Sequence, residues 1–245
     1  MVDTHIHLSY CSNIHTLPHE CWDMSASLIQ WKGIYNRSLK ETKCKPYYGI
    51  HPWWAEEWNN ETKQLLIQYL SRQNNAGVGE IGLDKNKGPS FDLQKKAFRQ
   101  QLDIAIEHSR PVSLHCVKAW GAMTEILEEH SMTIPIAFHA YSGSPELIER
   151  LIRMGAYISF APFNLRENNK KGRKALQNVP LNRLLLDSDF PYKENQSFLE
   201  YPQVMGKLLI QVSQLLGLHI QELEKQLSEN LNQFLNKPHS KTHQS

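Results

Sequence analysis

Long apolar runs are missing from this sequence. No stretch approaches the ~18 residues of a membrane-spanning helix, so no membrane association is expected. Paired cysteines are missing too: Cys11, Cys21, Cys44 and Cys116 show no CxxC spacing, which argues against a zinc knuckle or a disulfide framework. Free thiols in a reducing compartment are the simpler expectation. Met1 runs straight into Val2-Asp3-Thr4-His5 with no basic segment followed by an apolar one, so no secretory leader is expected and the expected location is cytoplasmic. Excess charge of one sign is also absent, with 27 Lys and Arg against 25 Asp and Glu and a net charge of +2. Proteins that hold nucleic acid by their overall field are usually more basic. An anionic substrate would therefore have to be held locally, by metal ions or a short basic loop.

The chain has 245 residues, 40% of them apolar. That is enough to bury a large core, and α/β barrels of ~200–250 residues form one domain. Short apolar runs alternate with longer amphipathic stretches, the pattern of βα units around a parallel sheet. Candidate strands fall at residues 2–5, 27–31, 47–50, 76–81, 112–115, 134–139, 156–160 and 184–187. Eight strands match a (β/α)8 TIM barrel, although the second of these segments could equally open a helix. Helices are expected over 91–108, with Leu93, Ala97, Phe98, Leu102, Ala105 and Ile106 in an apolar stripe, and over 145–154 after Ser144 as N-cap. A third, over 221–235, lines up Leu223, Leu227, Leu231 and Leu235 for packing against the barrel. One domain over 1–236 and a frayed polar tail over 237–245, carrying His239 and His243, complete the expected layout. The protein is expected to be a monomer.

Histidines and acids recur at strand ends. His5 and His7 are two residues apart, so both imidazoles project to one face of a strand. Glu80 lies inside the apolar, glycine-rich run Gly77-Val-Gly-Glu-Ile-Gly-Leu-Asp84, where a charged carboxylate is costly unless paired or bound to a cation. His115 ends Pro111-Val-Ser-Leu-His115, His139 ends Ile134-Pro-Ile-Ala-Phe-His139, and Asp189 closes Leu184-Leu-Leu-Asp-Ser-Asp189. All lie at the carboxyl ends of candidate strands, where barrel enzymes build their sites. Four imidazoles and two carboxylates can hold two divalent ions if one carboxylate bridges them. Such ions, ~3.5–4 Å apart, lower the pKa of a shared water and polarise the bond to be cleaved. The carboxylate not used as a bridge can also take the proton from the water.

His5-Ile-His7, Gly79-Glu-Ile-Gly-Leu-Asp84, Pro111-Val-Ser-Leu-His-Cys116, His139-Ala-Tyr-Ser-Gly143 and Leu186-Asp-Ser-Asp-Phe-Pro-Tyr192 resemble the ordered motif set of the TatD deoxyribonuclease family. The resemblance runs from Val2 to about Leu235 and includes Gly49-Ile-His-Pro52 and Glu229-Asn-Leu-Asn-Gln-Phe234. It implies a metal-dependent hydrolase on a TIM barrel, acting as a 3′→5′ exonuclease on single-stranded DNA ends. It further implies His5 and His7 on one ion, His115 and His139 on the other, Glu80 as bridge, and Asp189 as ligand and general base. Asp187 stands where the family usually has glutamate, and is expected to support the ligands rather than bind an ion. Magnesium, manganese and zinc all suit the donor set.

The sequence also departs from the family pattern. The stretch from Leu8 to Tyr47 is short for a helix, a strand and a second helix, so the first βα units are expected to be trimmed or irregular. Val117 and Lys118 follow His115-Cys116 in place of a basic and an acidic residue, and Lys85-Asn-Lys87 replaces the usual aromatic after Asp84. Both changes add positive charge on the active face. Trp53, Trp54 and Trp120 could stack on bases or pack internally, and Arg166, Lys170, Lys171, Arg173 and Lys174 could touch phosphates or form a solvated helix face. His51 is expected near the site, as substrate contact or support. His15, His19, His108, His130 and His219 read as surface or structural, and Cys116 as packing.

Two other functions fit the same residues. The ions could open an ester or amide, for example on a misacylated tRNA. The trimmed first half could instead mark a surface for protein partners in a larger assembly, since TatD-like members also occur in multi-gene antiviral cassettes.

Overall fold

A computed structural model of the chain describes residues 2–14, 16–130, 132–192 and 196–236. His15 and the tail from Lys237 lie outside the described residues. Strand β1 (Val2–Ile6) leads through a 3₁₀ turn at Leu8–Tyr10 to the two-residue β2 (Cys11–Ser12), then to β3 (Glu20–Met24) and helix α1 (Trp31–Lys40). Next come β4 (Cys44–Tyr48), α2 (Asn60–Arg72), β5 (Gly77–Asp84), α3 (Phe91–Glu107), β6 (Val112–Val117) and α4 (Trp120–Glu129). The second half runs β7 (Ile136–Phe138), α5 (Ile148–Arg153), β8 (Tyr157–Phe160), α6 (Lys170–Asn178), β9 (Leu184–Leu186), β10 (Gln196–Ser197), α7 (Tyr201–Leu216) and α8 (Ile220–Leu235).

Eight of these strands form one sheet in the order β1-β3-β4-β5-β6-β7-β8-β9, and every neighbouring pair is parallel. The ring closes just past β9. There Asp189 N donates to His5 O at 3.0 Å, His7 N donates to Phe190 O at 2.8 Å, and Ile6 and Phe190 form a parallel bridge. This is the expected (β/α)8 barrel. Beside it, β10 pairs with β2 as a small second sheet.

The first unit is irregular, as its length requires: β1 passes to β3 without an α-helix among the described residues. The second strand is a correction. It is Glu20–Met24, and the segment 27–31 instead opens α1. Gln30 Oε1 accepts from Ala26 N at 2.6 Å and Ser27 N at 3.3 Å, which fixes a helix start, and Ile29 is 89% exposed. The true strand is masked in the sequence by Asp23, which is fully buried but accepts from Arg37 Nε at 2.7 Å and Leu8 N at 3.1 Å. Elsewhere β4 begins earlier than 47, and the expected helix over 145–154 splits into a 3₁₀ turn and α5. Ser144 sits at its N-cap without a side-chain cap hydrogen bond.

The core has two layers. Alternate strand residues face the helices, while Trp22, Met24, Tyr47, Ala137, Tyr157 and Leu185 fill the inside of the barrel. Phe234 of α8 seals the base: its ring lies 5.0 Å from that of Trp22 and 5.3 Å from that of Tyr157. Leu223 and Leu231 are buried on the same helix, and Leu227 and Leu235 pack beside them. Among the described residues, no helix is long and apolar enough to cross a membrane. Phe234→Ala should destabilise the fold by about 3–5 kcal/mol in urea unfolding; a loss under about 1 kcal/mol would mean that α8 does not seal the barrel.

Candidate metal centre

Two strands break regular alternation, and each break turns a polar side chain inward. On β1, Val2 packs in the inner layer and Thr4 Oγ1 lies 3.3 Å from Ser159 Oγ. Strict alternation would turn His5 outward. The β1–β3 register shifts between Asp3 and Ile6, and His5 Nδ1 reaches Ser113 Oγ at 3.1 Å. On β5, Val78, Ile81 and Leu83 all belong to the outer layer. The β5–β6 register shifts between Val78 and Ile81, which releases Glu80 to the inside. Bulges of this kind re-aim side chains beside functional sites. Gly82 then lets β5 lie close to β6: its φ is +149°, and a Cβ there would stand 2.0 Å from His115 O.

Glu80 lies at the centre of five imidazoles. Its Oε2 is 3.3 Å from His5 Nε2 and 3.2 Å from His7 Nε2. Its Oε1 is 2.7 Å from His115 Nδ1, 2.7 Å from His139 Nε2 and 3.3 Å from His51 Nε2. Asp189 stands across from them, with Oδ1 4.0 Å from His5 Nε2 and 3.9 Å from His7 Nε2. Three overlapping sets have donor atoms close enough to hold an ion: His5, His7 and Glu80; His5, His139 and Asp189; and His51, Glu80 and His115. The six residues expected at the site are thus brought together, and His51 joins them.

Second partners set which ring nitrogen faces the centre. His7 Nδ1 lies 3.2 Å from Met24 O, so it carries the proton and leaves a lone pair on Nε2. Ser113 can play the same part for His5, and Asp84 Oδ2, 3.4 Å from His115 Nε2, does so for His115. His51 is the reverse case. Its Nδ1 accepts from Trp53 N at 3.1 Å, so the neutral ring keeps its proton on Nε2 and presents a donor. The donor set fits divalent cations. His5 Nε2 and His7 Nε2 are 3.2 Å apart, and once His7 has lost its Nε2 proton the two lone pairs at that distance need a positive charge between them.

Burial opposes the charge of Glu80, yet the imidazoles of His139, His51 and His5 hold it well below the usual carboxylate range. Burial alone would lower His7 and His115. Hydrogen bonds to Glu80, and to Asp84 in the case of His115, outweigh it and raise both to about 9. His5 is pushed well down, first by burial and then by His139, and His51 is lowered to about 4, chiefly by burial. Burial raises Asp189, and raises Asp187 to about 7.

The remaining expected residues are scattered. Trp53 and Trp54 line a cavity of about 310 Å³ over the centre, with Tyr10, Pro191 and Tyr192. Trp120 packs internally, 5.3 Å from the Phe138 ring and 4.9 Å from that of Tyr141. Asp187 is buried behind the site and its Oδ2 accepts from Ala140 N at 3.1 Å. Lys118 and Arg166 are exposed. Farther along, Lys171 donates to Ser142 O and Lys174 faces Glu146, so that part of the basic run braces neighbouring loops. Cys116 is buried packing. Two further acids, not expected from the sequence, support the site. Asp84 accepts from Trp53 Nε1 at 2.7 Å besides facing His115. Asp3 accepts from Ser188 N at 2.9 Å, Ser188 Oγ at 2.6 Å and Tyr201 Oη at 2.9 Å, and so fixes the segment that carries Asp189. Asp84 ends the same apolar, glycine-rich strand that singled out Glu80, whereas Asp3 lies in the mixed strand Val2–Ile6 and gave no such signal.

The model of the family described as TatD-related DNase matches residues 2–236. A 3′-5′ ssDNA/RNA exonuclease TatD from Dickeya dadantii is 34% identical over 152 residues, which cover 61% of this chain and 58% of that protein. The chain thus spans less than two thirds of that relative. A protein of the same description from Pantoea ananatis is 29% identical over 197 residues, 76% of each chain. Among solved structures, the TatD homologue YJJV from Escherichia coli superposes with a TM-score of 0.83 at 22% identity, covering 97% of this chain and 98% of that one.

Metal binding must displace the protons that Glu80, and Asp84 in the case of His115, favour on His7 and His115. In the metal-free protein their stabilisation is complete below about pH 6.5 and is lost as pH rises through about 9, so affinity for a divalent ion should climb across that window. Calorimetric titration with Mn²⁺ in buffers of different ionisation enthalpy should show rising affinity with proton release; flat affinity without release would contradict the assignment.

Proposed function

The chain belongs to the TatD-related DNase family, and from that premise we propose that it is a metal-dependent hydrolase cleaving phosphodiester bonds at single-stranded DNA ends, in the 3′→5′ direction. The observation that carries this reading is the Glu80 carboxylate, which offers one oxygen to His5 and His7 and the other to His115 and His139. Relatives described as 3′-5′ ssDNA/RNA exonucleases support the substrate class. We read 1–236 as one domain, acting as a monomer in the cytoplasm.

Two divalent ions held by His5, His7, Glu80, His115, His139 and Asp189, whether magnesium, manganese or zinc, would supply Lewis acidity and lower the pKa of an attacking water. The protein's own groups do the rest. Asp189 has the most exposed carboxylate of the set, 25% accessible against 3% for Glu80, which suits it to accept the proton of that water. His51 is neutral near pH 7 and donates from Nε2 to a phosphoryl oxygen. Glu80 stays ionised throughout and fixes the spacing of the two sets of imidazoles. Tyr10, Trp54 and Tyr192 wall the cavity, and aromatic walls of this kind stack on bases whatever their identity.

A 5′-labelled single strand should shorten stepwise while a 3′-labelled one releases its label at once as mononucleotide. Asp189→Asn should lower kcat by about 10²- to 10⁴-fold with melting unchanged. Undiminished release by that variant would remove Asp189 from the mechanism, and acyl-ester turnover with inert DNA would replace the substrate.

A further inference from the structure

A second cavity of about 340 Å³ adjoins the metal centre and is lined by Lys85, Asn86, Lys87, Gly88 and Phe91. Asp84 belongs to both places: it lines this cavity, and its Oδ2 faces His115. The Trp53 indole lines the cavity over the metal centre and touches two residues of the second one. Its Nε1 donates to Asp84 Oδ2 at 2.7 Å, and Lys87 Nζ lies 3.6 Å from the ring centroid. Lys85 Nζ lies 5.1 Å from the Phe91 ring. Both ammonium groups are exposed, and neither is paired with a carboxylate among the described residues.

The loop that carries them is built rather than slack. Buried Gln94 accepts from Asp84 N at 2.8 Å and donates to Lys87 O at 3.2 Å and Pro89 O at 3.0 Å. Asn86 N donates to Asp84 Oδ1 at 2.7 Å, and Lys85 N donates to Val117 O at 3.0 Å. Gly88, with φ +100°, lies so near the Trp53 turn that a Cβ would come 2.9 Å from Pro52 O. The Asp84 carboxylate is engaged by Asn86, Trp53 and His115, and neither lysine forms an ion pair with it, so two ammonium groups are left facing the cavity beside the Phe91 ring. On a chain of net charge +2, that charge is local.

Building on the nuclease reading, we propose that Lys85 and Lys87 form a phosphate subsite for the polynucleotide strand whose end lies on the metal centre. The subsite holds the backbone next to the bond being cleaved and is indifferent to base identity, since an ammonium group reads charge and not sequence. Trp53, which lines the cavity over the metal centre, links the two places through its contacts with Asp84 and Lys87.

The test uses the full-length, metal-loaded protein and a fluorescein-labelled oligothymidylate made resistant to cleavage by phosphorothioate linkages. Anisotropy titrations run from about 50 to 200 mM salt. The double variant Lys85→Ala, Lys87→Ala should bind roughly tenfold more weakly and lose about 1.4 from the slope of log affinity against log salt. Lys85→Arg, Lys87→Arg should keep both. Turnover of bis(4-nitrophenyl) phosphate, too small to reach both places, should be equal in all three proteins. Unchanged oligonucleotide affinity in the alanine variant would overturn the subsite, as would equal losses in the alanine and arginine variants. Failure of the wild-type protein to turn over any phosphodiester would instead count against the nuclease reading, because binding is read separately.

Discussion

A carboxylate ringed by five imidazoles, within a barrel whose base is sealed by aromatic rings, is the constraint on which the rest of this molecule depends. Glu80 is 2% exposed, and burying an ionised acid is costly unless it is paired or hydrogen-bonded. The strands around it are arranged to supply those partners. The register shift on β5 turns Glu80 inward, the shift on β1 turns His5 inward, and Gly82 lets β5 approach the carbonyl of His115. Ser25 accepts from Gly49 N and donates to Gly49 O while Glu80 N donates to Ser25 O, so the backbone that carries the carboxylate is held from β3 and β4 as well.

The same economy of contacts closes the barrel. Asp3 points outward from β1 yet sets the face that carries the metal centre, because its carboxylate holds Ser188 and, through it, the segment bearing Asp189 and Phe190. That segment makes the last hydrogen bonds of the ring. Closing the sheet and placing Asp189 opposite His5 and His7 are therefore one structural event, which ties the integrity of the site to the fold. On the other side, Asp84 joins His115 to Trp53, so the wall of the cavity and the orientation of an imidazole depend on one carboxylate.

Much of this was legible in the residues. Seven of the eight barrel strands overlap the expected strand segments, and His5, His7, Glu80, His115, His139 and Asp189 stand out as polar groups recurring in or just after them. The misplaced second strand shows the limit. Glu20 and Asp23 make Glu20–Met24 look like a loop, because the partner that permits burial of Asp23, Arg37, lies in the next helix. The apolar Leu28-Ile-Gln-Trp31 looks like a strand, although a single side chain, Gln30, folds it into a turn. The register shifts that turn His5 and Glu80 inward, the latter in mid-strand, likewise cannot be read from alternation, nor can the proton on His51 Nε2, which depends on the backbone of Trp53, or the internal packing of Trp120 on Phe138 and Tyr141. Pairings of this kind leave no periodic trace in a sequence.

The central claim is that Glu80 is shared between two ions. A crystal of the protein grown with Mn²⁺ and measured at the manganese edge tests it directly. The account predicts two anomalous peaks about 3.5–4 Å apart, one beside each Glu80 oxygen, the first near His5 and His7 and the second near His115. A single peak, or two peaks that both lie away from the Glu80 carboxylate, would contradict it.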